Sequence, residues 1–268
     1  MAKNQKKILQ TDNLREFLPI DDSTMMLFLD TWNRLPKYVL QEKVLENIFK
    51  KFPGNTDVDE VLLKCTLLNE FYSTRINSSE LIELAQNIVK LDIDGRLRDG
   101  DWSVVPEIAV CVGNRAHISF ASKYCNWHNQ KAFPIYDKYV VEVLCALKGN
   151  ELMSFRTNRE LREDPDIKRR YNAFGTALVE FVNRFNLKSV RSTDSNEIIF
   201  KLLDRALWLM GKLCFGDEVS VPEIIEAAGE ILTRAVYERY ISNRALKKPS
   251  ATTDNKKQKD TKKHKTNK

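Results

Sequence analysis

Apolar residues recur at three- and four-residue spacing along nearly the whole body of the chain, and strand-like alternation is nearly absent, so the pattern predicts helices. Val39, Leu40, Val44, Leu45, Ile48, Phe49 and Phe52 form one face, ended by Pro53-Gly54. Val58, Val61, Leu62, Cys65, Leu68 and Tyr72 form the next behind an Asp57 cap, and Leu81, Leu84, Ala85, Ile88 and Leu91 follow from Ser78-Ser79. These three segments read as antiparallel helices joined by short turns. Further on, Ile167, Tyr171, Phe174, Leu178, Phe181 and Phe185 step by four and three, an aromatic seam that must face other helices. Ile199, Leu202, Leu203, Ala206 and Met210 repeat the pattern, and Ile224, Ile225, Ala228, Ile231, Leu232 and Ala235 close it after the capping-box signature Ser220-Val221-Pro222-Glu223. The expected fold is all-α, a bundle of about ten helices in two halves over residues 1–246. The polar, arginine-bearing stretch 149–166 is the expected surface connection between the halves.

Charge changes this picture at one end only. Of the net +6, residues 247–268 contribute +7 from nine lysines and two aspartates, which leaves the body near neutrality at −1. A tail of Lys, Thr, Asn and Asp without aromatic residues cannot bury enough surface to offset its ordering entropy, so it is expected to be disordered. Lys256, Lys257, Lys262 and Lys263 would draw it to polyanions such as DNA by counterion release, although a solubilising tail accounts for the composition equally well. The N-terminus lacks the apolar core of a secretory signal and no run is long enough to span a bilayer, so the expectation is a cytosolic protein without membrane contact. Five cysteines at wide spacing and three histidines form no cluster at metal-ligand spacing, so no metal and no cofactor are expected. Oligomeric state is left open.

One stretch departs from plain bundle patterning. Val112-Gly113-Asn114-Arg115-Ala116-His117 reads as a tight turn between two helices, and a helix from about His117 to Asn129 places Ser119, Ser122, Lys123 and Asn126 on one narrow polar stripe. Phe120, Ala121, Tyr124, Cys125 and Trp127 flank it, so the Lys123 amine is expected to be partly desolvated, which favours its neutral, nucleophilic form. After Phe133-Pro134-Ile135-Tyr136, Asp137 stands at the head of the next apolar run and reads as its N-cap. A solvent-facing lysine and a simple helix cap are the plainer readings of the same two residues. His117 and His128 read as a turn residue and a helix-end residue, and Asp101, Trp102 and Glu107 as helix-start chemistry.

An amine in the second helix of a hairpin, followed by an aspartate entering the next helix, resembles the helix-hairpin-helix DNA glycosylases. The segments Ser119 to Lys123 and Phe133 to Asp137 are most similar to bacterial 8-oxoguanine glycosylase-like proteins of unknown role. Leu68 to Thr74 and Leu207 to Lys212 look similar to segments of that group. The resemblance implies a glycosylase-like fold, Lys123 and Asp137 as catalytic residues for excision of a damaged base, and DNA as partner. It implies backbone contacts through Gly113, Asn114, Arg115, His117 and Ser119, and a base pocket drawn from Trp127, Phe133, Tyr136 and Trp208. Two features depart from the family: the hairpin turn holds a single glycine, and the interval from Lys123 to Asp137 is shorter by about one helical turn. A nucleic-acid-binding module without catalysis and a helical protein-interaction scaffold are the alternatives.

Overall fold

The computed structural model describes residues 20–148, 158–215 and 220–229. Among them it is all-α: α1 (Asp22–Asn33), α2 (Pro36–Lys51), α3 (Val58–Phe71), α4 (Ser78–Lys90), α5 (Asp94–Asp99), α6 (Val104–Val110), α7 (Ile118–His128), α8 (Lys138–Lys148), α9 (Asn158–Arg162), α10 (Ile167–Arg184), α11 (Phe200–Phe215) and α12 (Ser220–Ala228). The single β-type feature among these residues is an isolated bridge between Arg191 and Ile198. None of the described helices is long and apolar enough to cross a membrane. The tail lysines Lys256, Lys257, Lys262 and Lys263, and the expected apolar positions Ile231, Leu232 and Ala235, lie outside the described residues.

Local chemistry sets the helix starts. Asp21, Asp57, Asn77 and Asp166 accept backbone N–H bonds at the first turns of α1, α3, α4 and α10, as short polar side chains do for donors that have no intrahelical partner. The helix of residues 36–51 buries Leu45 and Phe49, but Val39 and Leu40 on its expected face stand exposed. In their place the helix turns Glu42 inward, and the reason lies in the site described below.

Buried side chains form two clusters. One gathers α2 to α7 around Phe49, Val61, Leu84, Val105, Tyr124 and Phe133. The other gathers α8 to α12 with α1, around Phe28, Leu144, Phe174, Leu207 and Met210, while Trp102 and Tyr136 pack against both. The change of core therefore falls on the segment between α7 and α8, ahead of the 149–166 connection expected from composition. Arg162, in that stretch, bonds back to Glu142 of α8 at 2.7 Å. The first helix crosses to the second core because its Met25, Phe28 and Trp32 stripe packs against α11.

The crossing of α8 and α11 is close. A Cβ built on Gly211 would lie 2.6 Å from the Tyr139 carbonyl oxygen, so only a glycine lets the two backbones approach. Because Tyr139 opens α8, this contact also fixes the position of Asp137 two residues earlier. Gly211→Ala is expected to destabilise the protein by about 1–3 kcal/mol in urea titration, since backbone rather than a movable side chain blocks the added methyl.

Candidate active site

The hairpin of α6 and α7 is closed by a bond from the His117 backbone N–H to the Ala109 carbonyl at 2.7 Å, and Gly113 turns the chain at φ +63°. Helix α7 is wrapped by α2, α3, α5 and α6, and every residue from Phe120 to Trp127 is buried. The polar stripe expected on this helix is present, but only Ser119 and Lys123 reach the cleft described below, while Ser122 and Asn126 face protein. Ser122 Oγ accepts the Tyr136 N–H at 2.9 Å, Asn126 donates to the Phe133 carbonyl at 2.7 Å, and Asn129 at the helix end accepts from the Ala132 N–H. Ser122 and Asn126 thus satisfy the backbone of the segment leading to Asp137, which as buried irregular chain would otherwise be costly. Other elements hold the same segment: Trp102 Nε1 donates to the Ala132 carbonyl, Tyr171 OH to the Pro134 carbonyl, and the Lys201 N–H to the Gln130 carbonyl.

These ties bring Lys123 and Asp137 together. The amine, on a residue only 3% exposed, donates to Ser119 Oγ at 2.8 Å and to Asp137 Oδ2 at 3.3 Å, so the short interval does not prevent convergence. Asp137 also caps α8, its Oδ1 accepting the Tyr139 N–H at 2.9 Å. Capping and pairing use different oxygens, so one carboxylate serves both.

The pair lies in the wall of a cleft of about 970 Å³ where the two cores meet. Trp32, Tyr38 and Trp208 form one side, in ring contacts between 5.3 and 5.8 Å. Lys37, Arg75, Arg115 and Lys138 stand exposed at the lining, and Lys212 lies over the Tyr139 and Trp208 rings. Of the four aromatics singled out in the sequence, Tyr136 and Trp208 line this cleft. Trp127 and Phe133 do not: Phe133 is fully buried beside α7, and Tyr72 stands over Trp127, accepting its Nε1–H at 3.2 Å. Both aromatics are core residues.

Arg115, His117 and Ser119 line the cleft, whereas Gly113 and Asn114 are exposed outside it. A Cβ on Gly113 would meet a Glu80 carboxylate oxygen at 2.9 Å, so an anion approaching that glycine first encounters a negative charge. His117 is 6% exposed with Nε2 lacking a hydrogen-bond partner among the described residues, and burial together with the neighbouring Arg115 lowers its pKa, favouring the neutral ring. His128 is pushed down to about 3 by burial and by Lys64. Asp101 and Glu107 do more than start a helix, because both pair with Arg96, at 2.9 and 2.7 Å.

Behind the cleft lies a second group of charges. Lys201, 1% exposed, pairs with Glu42 at 2.7 Å, and Arg205 pairs with the other Glu42 oxygen at 2.6 Å. Trp32 Nε1 donates to Glu42 at 3.0 Å, and Lys201 donates to Tyr72 OH at 2.9 Å. Burial disfavours the Glu42 carboxylate, but Lys201 and Arg205 outweigh it and hold its pKa below the ordinary value. The Tyr72 ring has Lys123 at 5.3 Å and Lys201 at 5.5 Å. Asp204, one turn from Lys201 on α11, lines the cleft at 8% exposure. A visible signal for this group was the spacing of Lys201, Asp204, Arg205 and Trp208, a polar stripe on a strongly apolar helix like that of α7.

The fold and cleft define a two-cored helical protein with an amine–carboxylate pair set where the cores meet. The family model HI_0787_N, an N-terminal domain, matches residues 24–132. A protein of Haemophilus influenzae (strain KW20 / Rd) of uncharacterised function is 34% identical over 165 residues, covering 60% of this chain and 71% of the relative. The chain belongs to the same family as that protein. No solved structure matches it. The matched domain contains Lys123 and ends before Asp137.

Glu42→Ala is expected to cost about 3–5 kcal/mol in urea titration, because it leaves the buried Lys201 ammonium without its counter-charge.

Proposed function

We propose that the protein binds DNA and excises a damaged or modified base, with Lys123 as nucleophile and Asp137 as its proton acceptor. The observation that carries this reading is the 3.3 Å approach of the Lys123 amine to the Asp137 carboxylate in the wall of a cleft of about 970 Å³. That volume is at the upper end of the ~300–1,000 Å³ usual for ligand clefts. A base rotated out of the helix needs an aromatic surface to replace its lost stacking, and Trp208 with Tyr38 and Trp32 provides one. The cations at the lining suit the phosphates on either side of a flipped nucleotide.

In the reaction the Lys123 ammonium passes a proton to Asp137 along their hydrogen bond. The freed amine attacks the sugar C1′, the C1′–base bond breaks with its electron pair going to the base, and the lysine–sugar adduct proceeds to a Schiff base. Ser119 Oγ, 2.8 Å from the amine, keeps it oriented once Asp137 is protonated.

Borohydride trapping on duplexes carrying 8-oxoguanine, uracil, an alkylated base or an abasic site tests this directly. Wild type is expected to give a covalent adduct with at least one of them, Lys123→Gln none, and Asp137→Asn a yield lower by roughly a hundredfold. An absence of adduct with every duplex rejects the lyase chemistry. Salt-sensitive duplex binding that survives Lys123→Ala would then identify a binding module that lacks the reaction.

Truncation after Lys248 is expected to weaken binding to undamaged duplex and to flatten its salt dependence, as measured by fluorescence anisotropy across a salt series. An unchanged slope would remove the tail from the interaction.

A further inference from the structure

We propose that Asp204 is a further catalytic residue of this site, the acid that hands its proton to the departing base, and that the substrate is therefore an uncharged base rather than an alkylated, cationic one. The inference rests on the excision reading above and deepens it.

Asp204 differs from the other three carboxylates around the cleft. Glu42 is committed to Lys201, Arg205 and Trp32, Asp137 to Lys123 and the first turn of α8, and Glu142 to Arg162. Asp204 Oδ1 is buried without a hydrogen-bond partner among the described residues, although the side chain lines the cleft one turn from Trp208. A buried carboxylate without a donor is costly, whereas the protonated acid is far less so and becomes a donor itself. The ionisable groups acting on it come from four places: Lys201 on its own helix, Asp137 ahead of α8, Lys123 on α7 and Glu42 on α2. Burial raises its pKa to about 7, the two lysines opposing and the two acids reinforcing the shift. At neutral pH a large share of molecules therefore carries a proton at this position, beside the aromatic surface where a base would stack.

The step balances without a co-reactant. As the Lys123 amine forms its bond to C1′, the bond from C1′ to the base nitrogen breaks with its electron pair leaving on the base. The Asp204 O–H transfers its proton to that base, which departs neutral. The new secondary ammonium on C1′ then gives up a proton to the Asp204 carboxylate, which restores the acid. A base that already bears a positive charge leaves without this help.

Base release under single-turnover conditions, set against adduct formation on a preformed abasic duplex where no base departs, separates this role from the nucleophile's. With 8-oxoguanine and uracil duplexes, Asp204→Asn is expected to lower base release by about a hundredfold, while adduct formation on the abasic duplex stays within about twofold. In wild type the ratio of base release to adduct formation is expected to fall as pH rises from about 6 to about 8.5, because the acid form is present below its pKa and lost above it. A variant that releases base at the wild-type rate, or a wild-type ratio flat in pH, overturns the assignment. The pH ratio decides the matter even if the variant fails to fold. Wild type that neither releases base nor forms an adduct overturns the excision reading itself, a result visible without any Asp204 variant.

Discussion

Two buried lysines lie within 5.5 Å of one tyrosine ring, and the structure around the cleft is arranged to make that tolerable. An ammonium removed from water is costly unless it is paired and fully hydrogen-bonded. Lys201 has Glu42 and the Tyr72 hydroxyl; Lys123 has Asp137 and Ser119. Satisfying the first explains why α2 turns an acid inward and leaves Val39 and Leu40 exposed. Satisfying the second requires the chain after α7 to deliver a carboxylate to a fixed point.

That delivery gives the short segment between α7 and α8 its importance. It is anchored by side chains from α7, α10 and the start of α6, and by the backbone of α11, so both cores take part in placing Asp137. Rigid elements from both sides, rather than one flexible loop, thus fix where this carboxylate stands. The absence of a side chain at Gly211 serves the same end by letting α8 settle against α11.

Much of this was legible in the chain. Periodicity located the helices, the spacing of Ser119, Ser122, Lys123 and Asn126 marked a polar stripe, and Asp137 read as a helix cap, although its short interval from Lys123 gave no sign that the two would meet. What periodicity could not provide was depth: the flanking apolar residues implied partial desolvation of Lys123, but only the tertiary ties to residues 129–137 show Ser122 and Asn126 to be buried against protein. Trp127 and Phe133 were misplaced for the same reason, since an aromatic next to a site residue can face the core or the cleft, and here Tyr72 intervenes. Glu42 comes from a helix far in sequence from the one that carries Lys201 and Asp204. Their partnership is a product of the fold, and local pattern records it only as polar residues on apolar helices.

The boundary at residue 132 divides the molecule in an informative place. A fragment stopping there would carry the Lys123 nitrogen but not Asp137, Lys201 or Asp204. It would also strip Ser122 and Asn126 of the carbonyl and N–H they serve, leaving polar atoms facing the vacancy once filled by residues 133–137. The matched region is thus half of a socket, and the cleft takes its lining from both sides of that boundary.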